Sequence, residues 1–114
     1  MKIEKVQREG VVLLRVRESK VDSSLAPDFK KELLVAIVQD SPKIVVDLSA
    51  VQHMDSSGLG AILFGIRQTV QRNGALVLLN PQPRVLRLIQ IAHLTQAIQI
   101  FDNEPEAIAA VKSG

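Results

Sequence analysis

Apolar positions recur with two different periods along this chain of 114 residues. Residues 3 to 7 and 11 to 17 flank Glu9-Gly10, and Val12, Leu14 and Val16 alternate with their neighbours, the period of a strand with one face on a core. This predicts an N-terminal β-hairpin, followed by a polar loop from Glu18 to Ser24. From Pro27 to Gln39 the period lengthens. Phe29, Leu33, Ala36 and Ile37 share a helical face, Leu34 and Val38 widen it, and Ser41-Pro42 ends it. Lys43 to Ser49 is a short β-branched run, the pattern of a strand covered on both faces. A second helix follows and stops at Asn73-Gly74. Ala75 to Leu79 then predicts another buried strand. Pro83 opens a third helix with Val85, Leu86, Leu88, Ile89 and Ala92 apolar. Ala97 to Phe101 reads as a short strand, and Glu104-Pro105 opens a last helix through Val111. Strands alternating with helices after a hairpin predict an α/β fold, a mixed and mainly parallel sheet of about five strands with about four helices.

The second helix begins with the most informative segment, Asp55-Ser56-Ser57-Gly58-Leu59-Gly60. Leu59, Ile62, Leu63, Ile66 and Val70 make the stripe expected to pack on a sheet. Ser57 falls on the opposite side, with Phe64 and Gln68 within about 20° of it on the helical wheel. Phe64 is therefore expected to be an exposed aromatic, either a partner's anchor or a surface ring covered by a neighbouring loop. Asp55 or Ser56 suffices as a helix cap, which leaves a second hydroxyl that capping does not require. Unpaired N–H groups and the helix dipole favour any negative charge that this hydroxyl acquires, so the position suits a phosphorylation switch.

Composition narrows the choice of chemistry. The chain lacks cysteine, tryptophan and tyrosine and has three phenylalanines, so its core is aliphatic and thiolate chemistry is excluded. Its length fits one domain spanning residues 1–114. The charged N-terminus is unlike an export signal, and the longest apolar-looking run, Gly58 to Ile66, is about half of a spanning helix's roughly 20 residues. An intracellular place without membrane insertion is expected. The net charge of +2 is spread among interleaved acids and bases, and basic-aromatic texture is missing, so nucleic acid is not implied.

Catalytic and ligand-binding readings find less support. A nucleophile elbow needs glycine two residues before the serine, where Asp55 stands, although His53 or His93 would be the candidate base. Gly58 and Gly60 begin a G-x-G, but Leu63 occupies the third glycine's place and no Walker lysine follows. Asp22 and Asp47 suggest a magnesium pair, but a strand-end aspartate such as Asp47 ordinarily serves its own loop. No cofactor or metal is expected.

Three stretches, Ile44 to Val51, Met54 to Gly60 and the Asn73-Gly74 turn, together with the order of elements, resemble the STAS domain family, and within it the stand-alone anti-sigma factor antagonists. The resemblance covers nearly the whole chain. It implies the STAS fold, a cytoplasmic place and phosphorylation of the second serine, Ser57, by a partner that is both anti-sigma factor and serine-protein kinase. A phosphoserine phosphatase would reset the switch. The family's glycine, any residue, aliphatic, aspartate pattern is matched by Ser19-Lys20-Val21-Asp22, with serine for the glycine. It implies that Asp22 lies near Ser57 and helps form the docking surface, to which Asp55, Ser56, Ser57 and Gly58 at the start of the helix, and Phe64 by its place on the wheel, are also assigned. The competing implication is an interaction subunit of a transporter, or of another signalling complex, that phosphorylation does not switch.

Overall fold

The computed structural model describes residues 1–113. Its strands are β1 (Ile3–Arg8), β2 (Val11–Val16), β3 (Lys20–Val21), β4 (Lys43–Asp47), β5 (His53–Met54), β6 (Ala75–Leu79) and β7 (Ile100–Phe101). The helices are α1 (Ala26–Val35), α2 (Ser56–Gln71), α3 (Pro83–Ile91) and α4 (Glu104–Ser113). One five-stranded sheet runs β1-β2-β4-β6-β7, antiparallel between β1 and β2 and parallel elsewhere. The expected mixed, mainly parallel sheet with an N-terminal hairpin is what the chain forms.

The hairpin closes through Glu9 at φ 55° and Gly10 at φ 80°, two consecutive left-handed residues whose twist matches that of the flanking strands. β2 is buried on both sides. Val12, Leu14 and Val16 enter the larger core under α1, α2 and α3, whereas Val11 and Leu13 enter a smaller one under α4. Two-residue periodicity had identified only the first of these faces. Phe29, Leu33, Ile44, Ile62 and Leu78 are all essentially inaccessible in the larger layer, each stabilising the fold by about 1.5–3 kcal/mol through burial. On the smaller face, Arg15 Nη1 lies 3.0 Å from both Asp47 and Glu104, tying β2, β4 and the first turn of α4. The hydrogen bond that it donates to Glu104, followed by that to Asp47, raises the pKa of this guanidinium further.

Four local expectations are corrected. The Glu18–Ser24 stretch contains β3, which pairs in parallel with β5 in a separate two-stranded ribbon; a strand of two residues is too short to show a period. The first helix ends in a π-helical turn, Ala36–Asp40, where the Ser41 N–H reaches back to the Ala36 carbonyl at 3.0 Å. Only Ile100 and Phe101 of the expected Ala97–Phe101 strand pair with β6; Ala97 and Ile98 instead donate to the Leu94 carbonyl in a turn. Val70, placed on the buried stripe of α2, is 62% exposed. The buried side of α2 is centred on Gly58, Ala61, Ile62, Gly65 and Thr69, because small residues let α1 pack close, and this rotates Val70 outward.

The C-terminus of α2 is closed by a Schellman arrangement. Gly74 N–H donates to Thr69 and Asn73 N–H to Val70, with Asn73 in the left-handed region at φ 60°. Gly74 is needed for space, since a Cβ there would collide with the Pro42 carbonyl.

Candidate functional site

Sequence and packing converge at the N-terminus of α2. Asp55 is the helix cap: its Oδ1 accepts from Ser57 N–H at 2.9 Å and Gly58 N–H at 3.1 Å. The same carboxylate's Oδ2 accepts from Ser23 N–H at 3.2 Å, so one side chain joins α2 to the segment after β3. The ribbon brings the two together. Lys20 pairs with His53 and Val21 with Met54, and the Ser19 carbonyl receives the N–H groups of Gln52 and His53. Gly58 permits this approach, because a Cβ would lie 2.6 Å from the Val21 carbonyl oxygen and 2.8 Å from Met54 Cγ. Ser19 does not adopt a positive φ, so serine fills the place of the family's glycine without backbone strain.

Capping by Asp55 leaves both serine hydroxyls without a hydrogen-bond partner among the described residues. Ser56 is exposed and Ser57 half-buried. Asp22 holds its own loop: its Oδ1 accepts from the Ser24 hydroxyl at 2.6 Å and the Ser24 N–H at 3.0 Å, and its Oδ2 lies 3.8 Å from Lys20 Nζ. The Ser24 hydroxyl, then the Ser24 amide, hold the Asp22 carboxyl below the usual carboxylate range, so it stays anionic at any physiological pH. A cleft of about 280 Å3 lies between the segments, lined by Lys20, Asp22, Ser23, His53, Met54 and Asp55.

Asp22, Asp55 and the Ser56-Ser57-Gly58 turn are thus brought to one end of the molecule, tied through Ser23 and Asp55. Phe64 is not the exposed ring expected from the helical wheel. It is half-buried, with Lys30 Nζ of α1 lying 5.9 Å from its ring centroid, so α1 covers the side of α2 on which it sits. Sequence reasoning passed over Ser23, and it quoted Val21 and Met54 only within motifs without a role of their own; all three act through backbone groups or packing. His53, the candidate base of the nucleophile reading, lies in β5 with Nδ1 2.9 Å from Arg84 Nη1 of α3. Asp47 is engaged by Ser49 N–H and Arg15, and no group of three or more metal-ligating side chains occurs among the described residues. No helix there is long and apolar enough to cross a membrane.

Comparison with known proteins places this geometry among regulators. A model of the STAS domain matches residues 2–107. The anti-sigma-B factor antagonist of Listeria monocytogenes is 35% identical over 86 residues, which are 75% of either chain. Among solved structures, the anti-sigma factor antagonist SpoIIAA in its unphosphorylated form matches with a TM-score of 0.79 at 29% identity, over 99% of this chain and 96% of that one. The Bacillus cell fate determinant SpoIIAA in its phosphorylated form matches with a TM-score of 0.73 at 25% identity, over 96% of this chain and 99% of that one.

Proposed function

The chain belongs to the STAS domain family, and we propose that it is an anti-sigma factor antagonist that acts in the cytoplasm and is controlled by phosphorylation of Ser57. In the unphosphorylated state it binds an anti-sigma factor that is also a serine-protein kinase, and so frees a sigma factor. Phosphorylation ends the complex, and a phosphoserine phosphatase restores binding. The observation carrying this reading is the division of labour at α2: Asp55 supplies the cap, so the Ser57 hydroxyl is spare at a half-buried place in the first turn of the helix.

Phosphate on Ser57 adds about −1.5 to −2 charges and three acceptor oxygens. The adjoining helix dipole tolerates that charge, so its cost falls on a docked partner rather than on the fold. Asp22, Asp55 and Ser56 contribute the remainder of the docking surface; Gly58, expected to be part of it, is buried and acts from beneath, by letting the Val21 backbone approach the helix. The test is capture of native partners on wild-type and Ser57→Asp baits, with phosphosites read in the same mass-spectrometry run. A kinase-type ATPase recovered on wild type but not on the variant, with phosphate on Ser57, is the expected result. Transporter subunits on both baits, with Ser57 unmodified, would overturn it.

A further inference from the structure

The arginines of this protein fall into two populations. Arg8, Arg15 and Arg17 each pair with a carboxylate, from Glu104, from Asp47 with Glu104, and from Glu4 respectively. Between Asp55 and Asp102 the sequence contains no Asp or Glu at all, yet it carries Arg67, Arg72, Arg84 and Arg87. Among the described residues none of these four meets a carboxylate: Arg72 bonds to Gln68 and Arg84 to the His53 ring.

Three of them lie on α2 and α3, two helices whose apolar sides pack into the same core layer. On α3, Arg84, Arg87 and Ile91 follow at i, i+3 and i+7, away from the buried Val85 and Ile89. On α2, Ser56, Leu63, Arg67 and Val70 fall on a single stripe at i, i+7, i+11 and i+14. Arg67, Arg84 and Arg87 are exposed, and Val70 and Ile91 are 62% and 66% exposed, the two most exposed large apolar side chains of the described residues. Among the described residues the nearest acids in sequence make no ion pair with these arginines. Asp55 is bound into the cap, while Asp102 and Glu106 line a cavity that meets the groove of Arg87 and Ile91 at Leu86. The stripe on α2 begins at Ser56, and Arg84 reaches His53 of β5, two residues before the cap, so this surface is continuous with the proposed docking end.

We propose that the α2–α3 face, through Arg67, Arg84 and Arg87 with Val70 and Ile91, docks an acidic, aliphatic-bearing segment of a protein partner. Charge complementarity identifies the occupant. The cations are all arginine, whose planar fork pairs bidentately with carboxylates. The apolar members are aliphatic, and the chain has no Trp or Tyr to stack on bases or to sit at a lipid interface. The inference rests on the reading above for the partner's identity, and it adds a reason for the switch: an acidic partner is repelled when Ser57 gains phosphate.

The test is amide chemical-shift titration of the isotope-labelled full chain with a 20-residue amphipathic Glu/Leu peptide, at low and at about 300 mM salt, where screening is strong. Shifts centred on Arg67, Val70, Arg84, Arg87 and Ile91 are expected, weakened at least tenfold by salt and by Arg84→Glu/Arg87→Glu, whose dispersed spectrum reports an intact fold. No shift at these residues, or equal shifts with a Lys/Leu peptide, would overturn the proposal. Preference for phosphatidylglycerol vesicles or an oligonucleotide over the Glu/Leu peptide would also overturn it, in favour of lipid or nucleic acid. The titration does not involve Ser57. If it fails while captured kinase still responds to Ser57→Asp, the α2–α3 face alone is refuted; the converse outcome refutes only the phosphorylation switch.

Discussion

The two ends of α2 are held by different means. At the C-terminus the chain is fixed by its own backbone: Asn73 in the left-handed region, two closing hydrogen bonds, and Gly74 against the Pro42 carbonyl. At the N-terminus one exposed carboxylate, Asp55, joins the helix to the segment after β3, and two serine hydroxyls have no partner among the described residues. The contrast separates a structural closure, made by the backbone alone, from a site where the commitments leave chemistry available. Substitutions at the first should reduce stability, and substitutions at the second should reduce binding.

The sharpest challenge to that division is Gly74→Ala, which should cost about 2–4 kcal/mol because a backbone carbonyl cannot yield as a side chain can. Thermal denaturation measures it; an unchanged midpoint would erase the difference between the ends. Asp55→Ala is intermediate. It removes the acceptor of three N–H groups and should cost about 1–2 kcal/mol, with faster amide exchange at Ser23, Ser57 and Gly58. Protection retained at Ser23 would show that the ribbon holds that loop unaided. Ser57→Asp should leave stability within about 0.5 kcal/mol by chemical denaturation, and a larger loss would mean that the hydroxyl belongs to the fold.

The smallest effect concerns pH. The Asp22 carboxyl titrates below its ordinary value of 3.8, so its contribution is complete above that value and is lost as pH falls through the depressed pKa. Exchange at the Ser24 amide should therefore be independent of this group from about pH 5 to 8 and should accelerate only in stronger acid. Acceleration near neutrality would point to a different tie.

Legibility in the sequence followed the length over which a residue's environment repeats. The hairpin, β4, α2, β6 and α3 each repeat a period or carry turn chemistry, and all were readable. The ribbon was not, because two paired residues in each strand produce no pattern, and with it went the contacts that bring Asp22 toward Asp55. The signature turn could be read because cap, hydroxyls and glycine are adjacent in sequence. Phe64 was misplaced for the opposite reason: a helical wheel shows which residues share a side, but not that α1 and Lys30 cover it. The same limitation put Val70 in the core.

Ser57 sits in the first turn of a regular helix with its own N–H drawn into the Asp55 cap. An enzyme that modifies it on the proposed reading cannot take it as an extended peptide without first dismantling that turn. Recognition must then be of the assembled shape, ribbon and helix together, rather than of a string of residues. A copy still unfolded or damaged would be invisible to such an enzyme, so the signal would count only molecules that are also competent to carry it.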